Sequence, residues 1–279
     1  MELSANEYVA LLQKPLVRKL YASERSVIDK YMSELTDDSA VIDMACGPGY
    51  ATNYVYIHYG CRVLGVDIMP DMIKHAQKTY GNEKAEFIVG DVCDPNLLDD
   101  RKESFHWVMC HVSLHLLKDT DAFLQNSYKL LKENGQLLIL YPTREFGDPI
   151  YISSIRKTLE DPKWVLHHDL MEPVLDIPIL NSNPENKYPW ITNKDNLLQI
   201  MQEMGFSISA TEVFKDVLVL PLNPENTSDL LSPFKQLPQE RRQEFADDFI
   251  KVARSLSGEE EPEVKIHHVA VVAKREKRL

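Results

Sequence analysis

The chain has 279 residues, 44% of them hydrophobic, and sets 31 Lys plus Arg against 43 Asp plus Glu for a formal net charge of −12. That balance disfavours a phosphate-tracking surface, which depends on clustered basic residues, so no nucleic-acid partner is expected. The length fits one decorated enzyme domain, no apolar run reaches the roughly 20 residues that span a bilayer, and the start Met1-Glu2-Leu3-Ser4 is no leader, so a cytoplasmic location is expected.

In chain order, residues 1–35 read as an amino-terminal helical segment, with an amphipathic stretch from Glu7 to Leu20 interrupted near Pro15. From Ala40 to Tyr141, short apolar runs alternate with helical patterns, the signature of a parallel sheet with crossover helices. Strands are expected at Ala40–Met44, Arg62–Val66, Ala85–Val89, Trp107–Cys110 and Gln136–Leu140. Helices should open near Gly49 or Tyr50, near Pro70 and near Asp119, with Gly135 as the stop after the helical run Asp121–Lys132.

After Pro142 the alternation breaks. Residues 143–190, rich in Pro, Asn and aromatics, read as an insertion. Helical periodicity returns over Lys194–Met204, ending at Gly205, and strand-like Ser207–Leu220 follows. A second insertion, 222–262, carries the amphipathic stretch Pro238–Leu256, and the last strand is Lys265–Ala273. The core is then assembled from 36–142, 191–221 and 263–279. Its four cysteines, Cys46, Cys61, Cys93 and Cys110, show neither a disulfide framework nor metal-ligand spacing.

The chemistry concentrates at the carboxyl ends of the first four strands. Asp43-Met44-Ala45-Cys46-Gly47-Pro48-Gly49 puts a buried strand before a glycine turn and a helix, so the backbone can approach a ligand closely. A dinucleotide fingerprint would need glycine where Thr52 stands, which disfavours NAD. Asp67, at the end of the second strand and about 20 residues on, is placed to accept ribose hydroxyls, with Ile68 next to it. Gly90-Asp91-Val92 closes the third strand. Cys110, His111, Leu114 and His115 follow the fourth, and a histidine there is either a general base or a packed, hydrogen-bonded residue.

The wording Asp43-x-Ala45-Cys46-Gly47-x-Gly49 resembles the first motif of the class I methyltransferases. That resemblance implies a Rossmann-like core, mainly parallel and seven-stranded with helices on both faces, and S-adenosyl-L-methionine as cofactor. It would be held by Asp43, Ala45, Cys46, Gly47, Gly49, Asp67, Ile68, Asp91, Val92, Cys110 and His111. Along its whole length the chain also resembles the juvenile hormone acid methyltransferase-like proteins of arthropods. The similarity rests on Glu7-Tyr8 through Leu12-Gln13-Lys14, on Phe123, Leu130, Leu131 and Gly135, and on Leu237-Pro238 through Phe245-Ala246-Asp247-Asp248-Phe249-Ile250. It implies methyl transfer to the carboxylate of an apolar terpenoid or fatty-type acid. Gln13 matches that family's carboxylate-holding Gln, and the position the family fills with Trp is Leu116 here.

Expected site residues are therefore Gln13 and His115 for catalysis, and Gln13, Leu116, Trp164 and Trp190 for the substrate. The two insertions, with Leu166, Leu170, Met171, Val174, Leu175, Tyr188 and Phe234, are expected to form a mostly helical apolar lid. Two other readings stand beside this one. The acceptor is an amine, a hydroxyl or a protein side chain with His111 or His115 as base, or the protein binds the cofactor without turnover.

Overall fold

A computed structural model describes residues 5–13, 15–142, 149–164, 194–221 and 237–276. Two helices open the chain, α1 (Ala5–Leu12) and α2 (Pro15–Tyr31). Proline at the first helical position loses no hydrogen bond there and brings a suitable φ, so Pro15 starts the second helix where it would break a continuous one.

Strand β1 (Ala40–Met44) is buried throughout and β2 (Arg62–Asp67) at all but its first residue, the pattern of central parallel strands covered on both faces. β3 (Ala85–Val89), β4 (Phe105–His111), β5 (Leu131–Pro142), β6 (Phe206–Pro221) and β7 (Glu263–Arg275) complete a seven-stranded sheet ordered β3-β2-β1-β4-β5-β7-β6. The pairs β1–β2, β1–β4, β2–β3 and β4–β5 are parallel, and β7 lies antiparallel to β5 with Val271 opposite Ile139. The expected mainly parallel α/β sheet is the one that forms. Helices α3 (Tyr50–Tyr59), α4 (Pro70–Tyr80) and α5 (Thr120–Leu130) make the crossovers. The others described are α6 (Pro149–Leu159), α7 (Lys194–Glu203) and α8 (Gln239–Ser257). From β1 the chain winds outward through β2 and β3, then returns to the other side of β1 for β4. Such a switch point opens a crevice at the carboxyl ends of β1 and β4, where open α/β sheets bind ligands.

The end of α5 differs from expectation. The helix stops at Leu130, and buried Leu131 already pairs with Phe105, with a register shift before Trp107. Strand pairing thus overrides the helical periodicity that runs on to Lys132. The turn is made by Asn134, at φ 65°, rather than by Gly135. Asparagine is among the few residues besides glycine that visit this region readily.

The chain divides into two compact units, one of residues 1–142, 183–214 and 268–279 and another of 143–182 and 215–267. In the first, Ile28 of α2 and Met32 just past it join Val41, Val55, Val63 and Leu138 in one buried cluster. In the second, α6 packs on α8. Among the described residues no helix is long and apolar enough to cross a membrane.

Candidate active site

After β1 the chain turns through Ala45, Gly47 and Gly49 at φ 65°, 53° and 84°. The Cys46 amide donates to the Val66 carbonyl (3.0 Å) and the Gly49 amide to the Cys46 carbonyl (3.1 Å), which fixes the loop against β2. A Cβ at Gly49 would lie 2.7 Å from Phe87 Cε1, whereas one at Gly47 would meet nothing within 4 Å. Gly49 is thus demanded by packing, and Gly47 leaves open space on the face where a ligand can approach the backbone. Gly49→Ala is expected to cost about 2–4 kcal/mol, from left-handed strain plus overpacking, and Gly47→Ala about 1 kcal/mol from strain alone. Chemical denaturation of both variants checks this difference.

Asp43 is 1% exposed. Its Oδ2 accepts a 2.6 Å hydrogen bond from Thr52 Oγ1, while Oδ1 has no partner. Burial pushes this carboxyl up to about 7, Thr52 opposing and Asp67 adding to the rise. The residue that spoils the dinucleotide fingerprint therefore holds the buried acid beneath the loop. Thr52→Val, which removes the donor and keeps the volume, should destabilise the protein by about 1–3 kcal/mol in thermal unfolding.

Asp67 joins β2 to the same loop. Its Oδ2 accepts from the Gly47 amide (2.8 Å) and its Oδ1 from the Met69 amide (2.9 Å). The cap position of α4 is Met69, so Asp67 makes a local turn before the helix rather than capping it. Beside it Ile68 is 59% exposed, an apolar side chain held open at the rim. After β3, Asp91 accepts from the Cys93 amide (2.9 Å) and pairs with Lys118 at 2.5 Å. Burial opposes ionisation of Asp91, but the Lys118 ammonium and the Cys93 amide outweigh it and hold the carboxyl below its usual range. Buried Asn126 donates to the carbonyls of Val92 (2.9 Å) and Asp94 (2.8 Å), pinning this loop from behind.

At the end of β4 the Cys110 side chain is fully buried. The His111 side chain is 5% exposed. Burial, helped by nearby Arg25, lowers its pKa to about 4 and keeps the ring neutral. Its Nε2 has no hydrogen-bond partner and stands 4.0 Å from Glu24 Oε2. Val112 follows at φ 58°, an outlier for a β-branched residue. Ser113 Oγ then donates to the Ala45 carbonyl (3.0 Å), so two strained residues, Ala45 and Val112, sit on loops tied to each other at the switch point. His115 lies in the turn Leu114–Leu116, but its side chain falls outside the described residues. Leu116 is 57% exposed.

Gln13 lies just past α1 and is engaged on both ends of its amide. Nε2 donates to Tyr50 Oη (3.0 Å) and Oε1 accepts from Arg18. Tyr50 is the first residue of α3, directly after the glycine loop, so the amino-terminal segment reaches the switch point. Tyr21 continues this wall, its ring 6.3 Å from that of Tyr50 and 6.2 Å from that of His111, with its hydroxyl 3.0 Å from that of Tyr8. Arg18, Tyr21, Tyr50, Ser113 and Asn126 carry no motif, and nothing short of the folded chain gathers them.

Trp164, expected at the substrate, lies in the second unit. It is fully buried, its Nε1 donates to Asp248 (3.0 Å), and its ring stands edge-on to Phe245 at 4.9 Å. Trp190 and the other expected lid residues, Leu166, Leu170, Met171, Val174, Leu175, Tyr188 and Phe234, lie outside the described residues.

Residues 42–139 match a family model described as a methyltransferase domain. The chain is 27% identical over 227 residues to juvenile hormone acid O-methyltransferase of Bombyx mori, covering 77% of this chain and 74% of that one. Among solved structures, a candidate methyltransferase from Bacillus halodurans aligns over 92% of this chain and 99% of its own, at 17% identity and a TM-score of 0.58. Phosphoethanolamine N-methyltransferase 2 of Haemonchus contortus, solved with phosphomonomethylethanolamine and S-adenosylhomocysteine, aligns over 99% of this chain and 61% of its own at 13% identity and a TM-score of 0.54.

Proposed function

We propose that this chain, which has the fold and core motifs of the class I S-adenosylmethionine-dependent methyltransferases, transfers a methyl group to the carboxylate of a small apolar acid. The residues at the switch point fit the cofactor. Open space faces Gly47, the Asp67 carboxylate stands at the loop, and Ile68 offers an exposed apolar surface at the same rim. When bound, S-adenosylmethionine supplies an electrophilic methyl group on a sulfonium. In this reading Asp67 accepts the ribose hydroxyls, Asp91 stands at the adenine end, and the turn from Ala45 to Gly49 lets main-chain amides reach the methionyl part.

The observation that carries the acceptor assignment is the position of Gln13, held by Tyr50 at the start of α3. An amide nitrogen has two hydrogens, and one remains to donate to a carboxylate oxygen while Arg18 adds positive charge beside it. The amide leaves the acceptor anionic, as a nucleophile must be. A carboxylate is already ionised at neutral pH, so alignment and desolvation are what the site must provide. The 27% identity to the Bombyx mori relative, whose name states an acid acceptor, is consistent with the same class. An amine or hydroxyl acceptor would need a base, and His111 is buried with Nε2 toward Glu24 instead of the rim.

Incubation with radiolabelled cofactor and a panel of terpenoid, fatty and aromatic acids, amines and phenols tests the reading, and acids should be the acceptors labelled. With an acid, kcat/KM should stay flat from about pH 6 to 7.5, since no enzyme base has to lose a proton over that range. A rate climbing steadily through it would favour an amine or hydroxyl.

A further inference from the structure

Behind the wall made by Gln13, Tyr50 and Tyr21 lies a buried cluster that the transfer itself leaves unused. Glu24, on α2, is 2% exposed. Its Oε2 stands 4.0 Å from Nε2 of His111, at the end of β4, and its Oε1 stands 3.7 Å from Nε2 of His268, on β7. Both imidazoles are 5% exposed or less. These separations exceed a hydrogen bond by only about 1 Å, so a small adjustment of side chains closes both.

We propose that Glu24 is a positioning residue for the acceptor site, a neutral acid that accepts a hydrogen bond from His268 Nε2–H and donates one to His111 Nε2, locking His111 behind Tyr21. The inference rests on the methyltransferase reading for its kinetic consequence but not for its geometry. Two gaps separate three polar heads, and one hydrogen is needed in each. A protonated carboxyl supplies one and His268 the other, with no charge placed in a dry interior where an ion is costly. The remaining groups around Glu24 agree with this count. Tyr8 from α1 and Tyr21 from α2 are phenols whose pKa values burial raises, so they stay neutral, and Arg25 on α2 is the cation that acts on Glu24. Burial pushes the Glu24 carboxyl up to about 8, Arg25 opposing. A carboxyl raised in the folded state contributes stability that is complete below its unfolded pKa and is lost as pH rises through about 8. The array therefore holds at neutral pH and fails on the alkaline side.

The experiment is histidine-labelled nitrogen NMR of the full chain with S-adenosylhomocysteine, from about pH 6 to 9.5, on wild type and Glu24→Gln, with acceptor kinetics on both and on Glu24→Leu. Signals are assigned by comparison with single histidine variants. At neutral pH His111 should carry its hydrogen on Nδ1 and His268 on Nε2. Glutamine can reproduce both hydrogen bonds without titrating, so Glu24→Gln should keep kcat/KM within about threefold while losing the decline near pH 8 expected of wild type. Glu24→Leu should raise the acceptor KM about tenfold at unchanged cofactor affinity. A His111 imidazolium at neutral pH, a Glu24→Gln protein as impaired as Glu24→Leu, or a wild-type decline that persists in Glu24→Gln would overturn the proposal. Absence of any acid turnover would sink the functional reading alone, because the histidine tautomers still decide the array. They also decide it if Glu24→Leu fails to fold.

Discussion

Replacing Gln13 by alanine should cut kcat/KM for an acid acceptor by about ten to a thousandfold, or about 1.4–4 kcal/mol, while cofactor affinity stays within about twofold. The split follows from where the side chain sits. Gln13 touches Tyr50 and Arg18, whereas the carboxylates proposed for the cofactor, Asp67 and Asp91, are tied to Gly47, Met69, Cys93 and Lys118. Alanine removes the proposed donor to the acceptor and also frees Arg18 and Tyr50 from their common partner, so both the affinity and the angle of the carboxylate should suffer. Gln13→Glu should be worse despite Arg18 beside it, since it sets a second anion next to the nucleophile. Steady-state kinetics with cofactor titrations of the three proteins check this, and wild-type kcat/KM in Gln13→Ala would reduce Gln13 to a surface residue and leave the acid assignment on distant resemblance alone.

Much of this architecture is legible in the sequence because it rests on local patterns. The apolar runs at Ala40, Arg62 and Ala85 sit beside helix openings at Tyr50 and Pro70 within a residue or two of where the chain folds them. The Gly47–Gly49 turn announces itself because both positions take a left-handed backbone that glycine adopts without strain, and Gly49 also admits the close approach of Phe87. Long-range pairing is a different matter. Leu131 looks helical until Phe105 is beside it, and nothing local pairs Trp164 with Asp248 and Phe245. Glu24 reads as an ordinary acid on an amphipathic helix, since nothing local says that His111 and His268, far along the chain, will close over it. Gln13 could be placed only through resemblance, and its contacts with Tyr50 and Arg18 belong to the folded chain.

The cofactor end gives the second large effect, at Asp67. Asp67→Ala should weaken S-adenosylmethionine and S-adenosylhomocysteine alike by about 1.5–3 kcal/mol, the worth of a hydrogen bond to a charged group. Part of that loss reaches the ligand through the protein. The same carboxylate holds the Gly47 amide at 2.8 Å and the Met69 amide at 2.9 Å, so alanine should loosen the glycine loop as well as remove the proposed ribose acceptor. Asp67→Asn separates the two contributions. Its one carbonyl oxygen can keep a single amide contact, its charge is gone, and its NH₂ faces a donor, so its affinity should fall between wild type and alanine. Folding is controlled by melting each protein with and without the product. In wild type a product concentration 100 times Kd should add about 2.7 kcal/mol of stability, a gain that shrinks as Kd rises, whereas simple misfolding would lower the ligand-free midpoint instead. Calorimetry then reads the affinities directly, with NAD as the ligand that should give no heat. Equal affinity of Asp67→Ala and wild type for both adenosyl compounds would take the ribose role away from Asp67 and return it to tying β2 to the loop.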